Sequence, residues 1–509
     1  MNFSLRSVVH DLGWLLQVPG WLAVPAIAVA VLNEEWVACW SLAGMAAGAA
    51  ITGLLLSRLE PGESSRADAM RTTAAGWLLL GAVSSIPFFA WSLLDSSASA
   101  ESRVFSHWAG ALFEGMSGIT STGLTMVADP ATLPMSLQLW RTLLEWIGGV
   151  GVVVLALAFA DLSIAPEALY RAEARSRRLG SSIRSTGRRI WGLYGAFSIA
   201  AVSALWLSGA SPWTALNHGL TGVSTGGFTV HADSLASTDL AQRLVLMVVM
   251  LVGATSFSLF HSVLVVRRWS ALARCIQLPV FVALVAAGAV LVAWLEPGLG
   301  LVDAAFQWTS AVATCGFSVV PPEQMSDAAL ASMAVGMLIG GMVGSTAGGL
   351  KIERLVVLGQ AVWRRMLHRP PRVRTDDGWF EGDDARERVR TALKLLVLIM
   401  ASVSVGIVAL VAVDEAQRPL VHHIFEATSA IGCVGLSAGV ANADLSTGGK
   451  LVLIVLMWVG RLEVVAVLTL VASPFRVHQK DWLPGVEADG RPGSSPQEPE
   501  PSLQEPHDP

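Results

Sequence analysis

A chain of 509 residues that is 53% hydrophobic and only 14% charged, against about 25% charged in an average soluble domain, carries more apolar surface than a water-soluble globule can bury. This excludes a soluble domain and puts the chain in a bilayer. The formal net charge of −5 is small, and its distribution is more informative than its sum.

Apolar runs of about 20 residues, long enough to cross the hydrocarbon core, recur along the chain. Residues 12–32 and 36–57 read as a retained helix pair and not a signal peptide, because no small-residue cleavage site lies between them. Further spans are expected at 72–94, 136–160, 188–210, 237–265, 275–296, 329–363, 390–413 and 446–473. These make an all-α polytopic membrane protein of ten transmembrane helices. Each of the last four pairs encloses a moderately apolar stretch too short to cross, near 105–125, 212–229, 302–318 and 420–437, and such stretches are re-entrant candidates. The expected units are therefore a leading pair (1–60), four helix, pore-loop, helix repeats around a central pore (70–162, 186–268, 274–366 and 388–476), and a disordered tail (482–509) rich in Pro, Gly, Ser and Glu.

Basic residues mark alternate loops. Residues 163–189 hold seven Arg against two Glu, Arg267, Arg268 and Arg274 cluster, and 351–390 hold ten Lys and Arg. The positive-inside rule makes these loops, and both termini, cytoplasmic. The remaining loops carry mainly acids, among them Glu34, Glu35, Asp129, Asp233, Glu323 and Asp414. The four cysteines, Cys39, Cys275, Cys315 and Cys433, lie scattered in or beside apolar segments, with neither a disulfide framework nor a metal spacing.

The short stretches share one pattern: Ser/Thr, Gly/Ala, Ile/Val, three variable residues, Gly, Leu/Phe, Ser/Thr. It occurs at Ser117–Thr125, Thr221–Thr229, Ser310–Ser318 and Ser429–Ser437. One copy would be an ordinary turn signal; four copies in register, each between two spans, make a ring. Non-helical backbone at membrane depth survives only when buried in protein or lining a watery cavity. Backbone carbonyls of such loops can replace the water shell of a cation, and Gly supplies dihedrals that other residues resist. The filter candidates are Thr120, Ser121, Thr122 and Gly123; Ser224, Thr225, Gly226 and Gly227; Ala313, Thr314, Cys315 and Gly316; and Gly432, Cys433, Val434 and Gly435. Because carbonyls do the coordinating, Cys315 and Cys433 imply no thiol chemistry. Short apolar stretches before the loops, such as Trp108–Ser117 and Ile424–Ser429, read as half-helices whose carboxyl ends favour a cation.

With these motifs, the chain resembles the Trk/Ktr/HKT superfamily of potassium transporters, and within it the TrkH-like subunits, over residues 1–476. Further matching segments are Trp146–Gly151, Tyr170–Glu173, Gly344–Lys351 and Gly460–Glu463. The resemblance implies inward passage of K+ and makes Gly344, Ser345, Thr346, Ala347, Gly348 and Gly349 a mobile gating loop beneath the filter. It also places Arg461 in the permeation path near that loop. Lys351 follows the loop, where snorkelling to the surface explains it equally well, and a structural Arg461–Glu463 pair is the bland alternative. The family further implies a homodimer on a cytoplasmic ring of nucleotide-binding, TrkA/KtrA-like regulatory subunits in the bacterial inner membrane. This chain itself shows no nucleotide motif, organic cofactor site or enzyme signature. A poorly selective or sodium-permeable member is the nearest alternative, since the Gly432–Gly435 filter has no hydroxyl. Glu114 and Glu426 in the half-helices fit packing or capping as well as cation attraction, and Glu145 stands where the family has Gln.

Overall fold

The computed structural model describes residues 5–60, 66–95, 99, 102–151 and 183–471, with the side chains of residues 66, 67, 102, 183, 184 and 463–465 excluded. The fold is mostly helical. Six described helices are long and apolar enough to cross a bilayer: Leu5–Leu32, Trp36–Ser57, Asp68–Leu94, Ser185–Leu207, Gln277–Leu295 and Gly382–Val413. Their outer faces carry exposed Trp21, Trp40, Ile199, Val405 and Val408, a pattern that suits lipid contact and would be costly in water.

Two spans are broken. Leu240–Gly253 and Phe257–Val265 meet at 92°, where a continuous helix over 237–265 was expected. The break spans Ala254, Thr255 and Ser256, and the freed Phe257 amide bonds the Gly344 carbonyl at 3.0 Å. Within the expected 329–363 span, helix Asp327–Ile339 is separated from Ile352–Met366 by residues 340–351. The basic segment beyond that second helix, read as a loop up to the span at 390–413, instead carries a two-stranded antiparallel hairpin, Arg372–Thr375 with Gly378–Glu381, and the next helix already begins at Gly382. The hairpin's alternating side chains bury Val373, and Arg372 stacks on Trp379 at 4.2 Å.

Four short helices, Trp108–Ile119, Pro212–Ser224, Leu301–Val312 and Leu420–Gly432, occupy the expected half-helix positions. Ser211 caps the second by accepting the Thr214 amide, with Pro212 in the first turn. The leading pair is anchored through Glu35, whose carboxylate accepts the Met135 and Ser136 amides (2.7 and 2.9 Å) at the start of helix Met135–Val150. Indole donors tie other helices together: Trp140 bonds the Ser84 carbonyl and Trp458 the Ala74 carbonyl, each at 3.0 Å. All four cysteines are buried free thiols. Residues 152–182, which hold the end of the 136–160 span, most of the first basic loop and Tyr170–Glu173, lie outside the described residues, as do both termini, the 482–509 tail and the Glu463 side chain.

Candidate functional site

Every short helix ends in the same way. Ser121, Thr225, Thr314 and Cys433 adopt left-handed backbone, with φ of 52°, 52°, 52° and 50°. The amide of the following residue (Thr122, Gly226, Cys315 or Val434) bonds the carbonyl five residues back at 2.9 Å in all four. This is a helix-ending motif that usually takes glycine. A side chain there costs about 1–2 kcal/mol, and strain of this kind persists where the surroundings over-determine it. Two residues further on, Gly123, Gly227, Gly316 and Gly435 have φ of 85°, 90°, 87° and 94°.

Those glycines bring the four loops together in cyclic order. A methyl group on Gly123 would fall closer than 3.0 Å to the carbonyl oxygen of Gly226, on Gly227 to that of Cys315, on Gly316 to that of Val434, and on Gly435 to that of Thr122. The fourth loop thus closes onto the first. The side chains of Thr120, Ser121, Thr122, Ser224, Thr225, Ala313, Thr314, Cys315, Cys433 and Val434 are all buried. Gly148, Gly253 and Gly460 give equally close approach to the carbonyls of Ile119, Val223 and Ile431 at the ends of the first, second and fourth short helices.

A second four-fold feature was not recognised from the sequence. Seven residues before each left-handed residue stands a buried acceptor: Glu114, His218, Gln307 or Glu426. Each accepts a backbone amide twelve residues ahead, from Met126 (3.3 Å), Val230 (3.3 Å), Val319 (2.9 Å) and Ala438 (3.1 Å). The hydroxyls of Thr125, Ser318 and Ser437, the last residues of three repeat motifs, donate to Glu114, Gln307 and Glu426. Each helix therefore ties down the segment leaving its loop. Only the constant spacing signalled this, because the four side chains differ chemically. Glu114 and Glu426 consequently act as loop braces. Glu114 also pairs with Arg141 at 2.7 Å, both side chains almost fully buried. The same guanidinium reaches the Thr229 carbonyl and Thr125 hydroxyl (both 3.1 Å) and lies 4.0 Å over the Phe228 ring.

Glu145 lies between the first two loops. Its carbonyl accepts the Ser121 hydroxyl at 2.7 Å, and its carboxylate oxygens share the Phe228 amide at 3.2 and 3.0 Å.

The segment between Ile339 and Ile352 packs against the other loops. Thr346 donates to the carbonyls of Val223 and Gly253 (3.0 and 2.9 Å) and accepts from Thr225 at 3.3 Å. Gly348 bonds the Thr314 hydroxyl through its amide at 2.7 Å, and a Cβ on it would strike the Gly432 carbonyl. Ser345 bonds back to Met342 at 2.6 Å. Gly344, Gly349 and Lys351 all have positive φ; the Lys351 ammonium donates to the Ala347 carbonyl, so it turns back onto the segment. Arg461 donates to the carbonyls of Gly148 and Gly149 and lies 5.3 Å from the Trp77 ring, which brings it to the helix behind the first loop. A chain of polar contacts leads from this segment to the hairpin: Gln277 accepts the Val343 amide at 2.9 Å and donates to Asp376 at 2.8 Å, and Asp376 also accepts the Ile276 amide at 2.7 Å.

The profile of the TrkH family, described as cation transport protein, matches residues 42–277 and 271–478. Similar sequences include an uncharacterized cation transporter of Methanocaldococcus jannaschii, 29% identical over 92% of this chain and 96% of its own length. The Trk system potassium uptake protein TrkH of Halomonas elongata is 30% identical over 93% of this chain and 99% of its own. The crystal structure of the potassium transporter TrkH from Vibrio parahaemolyticus superposes with a TM-score of 0.79 at 22% identity, covering 93% of this chain and all of that one, and so shares the fold. The chain belongs to the TrkH family of cation transport proteins: it is a multi-pass membrane transporter and not an enzyme.

Proposed function

We propose that this chain takes up K+ across the bacterial inner membrane through the ring formed by Thr120–Gly123, Ser224–Gly227, Ala313–Gly316 and Gly432–Gly435. The cyclic approach of each filter glycine to a carbonyl of the next loop carries the reading. Four strained loops closing on one another enclose an axis on which backbone carbonyls can stand in for an ion's water. The relatives named as Trk potassium uptake proteins point to K+ as the ion. Four short helices ending at the ring would add the negative ends of their dipoles.

The repeats then run over 70–162, 186–268, 274–366 and 388–476 behind the leading pair at 1–60, giving ten spans with both termini cytoplasmic. Residues 340–351 form the gate. Thr346 and Gly348 hold the segment against the second, third and fourth loops, and opening requires those contacts to break. A homodimer on a nucleotide-binding cytoplasmic ring is the assembly in which that release would be regulated, and the Arg372–Glu381 hairpin is its point of contact with the gate. The fourth loop, Gly-Cys-Val-Gly, offers no hydroxyl, which keeps a sodium-permeable variant of the same mechanism as the second reading.

Uptake of 86Rb+ and 22Na+ into proteoliposomes tests the assignment, with wild type compared with Gly123→Ser and Gly316→Ser. Rubidium uptake lost in either variant is expected. Equal rubidium and sodium uptake in wild type would favour the second reading, and uptake untouched by both substitutions would remove the ring from the pathway.

A further inference from the structure

Three buried carboxylates surround the ring, and they are not equally satisfied. Glu114 is neutralised by Arg141 at 2.7 Å. Glu426 accepts the Ser437 hydroxyl and the Ala438 and Ala441 amides (3.1, 3.1 and 3.2 Å). Glu145, 0% exposed, has the Phe228 amide divided between its two oxygens. Among the described residues no Lys, Arg or His is within ion-pair distance of it. Arg141 is committed instead to Glu114, Thr125 and Thr229.

A carboxylate has room for about four hydrogen bonds, and a buried charge left without a partner is strongly destabilising. Either the carboxyl is neutral or a positive charge comes to it. Its position favours the second. A Cβ on Gly226 would lie 2.5 Å from Oε2 of Glu145, and one on Gly123 3.3 Å from Oε1. The side chain is thus wedged directly behind two filter loops at the point where they meet; Arg141 acts on it only from a distance, held by its own partners, and a cation in the ring would be placed to balance it.

We propose that Glu145 is an ionised, affinity-determining residue whose counter-ion is the cation held in the ring. This rests on the ring being the cation site. It makes the first two loops the more strongly binding side of the filter, although their coordinating groups are backbone. The attraction acts across a water-poor interior, where a unit charge a few ångströms behind the site is felt strongly and salt screens it little.

The test uses the full chain with Glu145→Gln and Glu145→Asp. Glutamine keeps the shape and the acceptor for Phe228 while removing the charge; aspartate keeps the charge. Two readouts are taken: the 86Rb+ concentration giving half-maximal uptake in proteoliposomes, and the rise in melting temperature in detergent when Rb+ replaces choline. Glu145→Gln is expected to need about tenfold more Rb+ and to lose most of the Rb+-dependent rise, with its melting point in choline unchanged or higher. Glu145→Asp is expected to keep the rise. Wild-type values in Glu145→Gln would mean a neutral carboxyl and overturn the proposal, as would equal losses in both variants. Were Glu145→Gln not to fold, Glu145→Asp alone decides, because a folded aspartate variant without the rise contradicts it. Absence of any Rb+ effect in wild type would instead bring down the assignment of the ring.

Discussion

Replacing Arg141 with methionine should strongly destabilise the fold. The substitution keeps apolar bulk over Phe228 but strands the Glu114 carboxylate, which is fully buried with its guanidinium partner at 2.7 Å. It also removes the donors to Thr229 and Thr125 that join the first loop to the second. Breaking a buried pair by removing one partner costs about 3–5 kcal/mol. Glu114→Gln added to Arg141→Met removes the stranded charge while leaving an acceptor for the Met126 amide, so the double variant should be more stable than the sum of the single losses, by about 0.5–3 kcal/mol. Equilibrium unfolding in mixed micelles, followed through tryptophan fluorescence, measures all four corners of the cycle. A loss below about 1 kcal/mol in Arg141→Met, or strict additivity in the double variant, would refute the view that this pair braces the loops.

The remaining predictions concern the proposed gate. Thr346→Val keeps the shape but deletes the one hydroxyl proton shared between the Val223 and Gly253 carbonyls; at about 1 kcal/mol, basal 86Rb+ flux without a regulator should rise about fivefold, and unchanged flux would exclude this donor from the closed state. Gln277→Leu cuts the link from Val343 to Asp376, so hydrogen exchange at the Val343 amide should accelerate at least several-fold while the amides of Thr122, Gly226, Cys315 and Val434 stay protected.

The parts of the fold that follow from local chemistry were legible in the sequence. Long apolar runs placed the spans at Trp36–Ser57 and Gln277–Leu295 within a few residues, and a repeated Gly at a fixed offset located all four loops. The glycines stood out because the backbone there needs positive φ and close approach, which almost no other residue permits. Ser121, Thr225, Thr314 and Cys433 hold an equally special conformation, yet their identities do not announce it; tertiary packing imposes it. The braces were hidden for a related reason, since a carboxylate, an imidazole and an amide all accept the same backbone amide. At the 92° bend the one sequence sign is Gly253, which an apolar run hides because a single Gly is tolerated within a helix; the bend is stabilised by contacts with residues 341–346 from elsewhere in the chain, including Met342 to Ala254 and Thr346 to Gly253. The hairpin escaped notice because its arginines dominate the segment, although Arg-Val-Arg-Thr, Asp-Asp and Gly-Trp-Phe-Glu read as strand, turn and strand once paired.

The central claim is that four loops form one cation site, and anomalous diffraction from crystals grown in RbCl addresses it most directly. The account predicts Rb+ peaks on the axis enclosed by the loops at Thr122, Gly226, Cys315 and Val434, displaced by excess K+. A well-ordered ring without Rb+, or peaks confined to another part of the molecule, would contradict it.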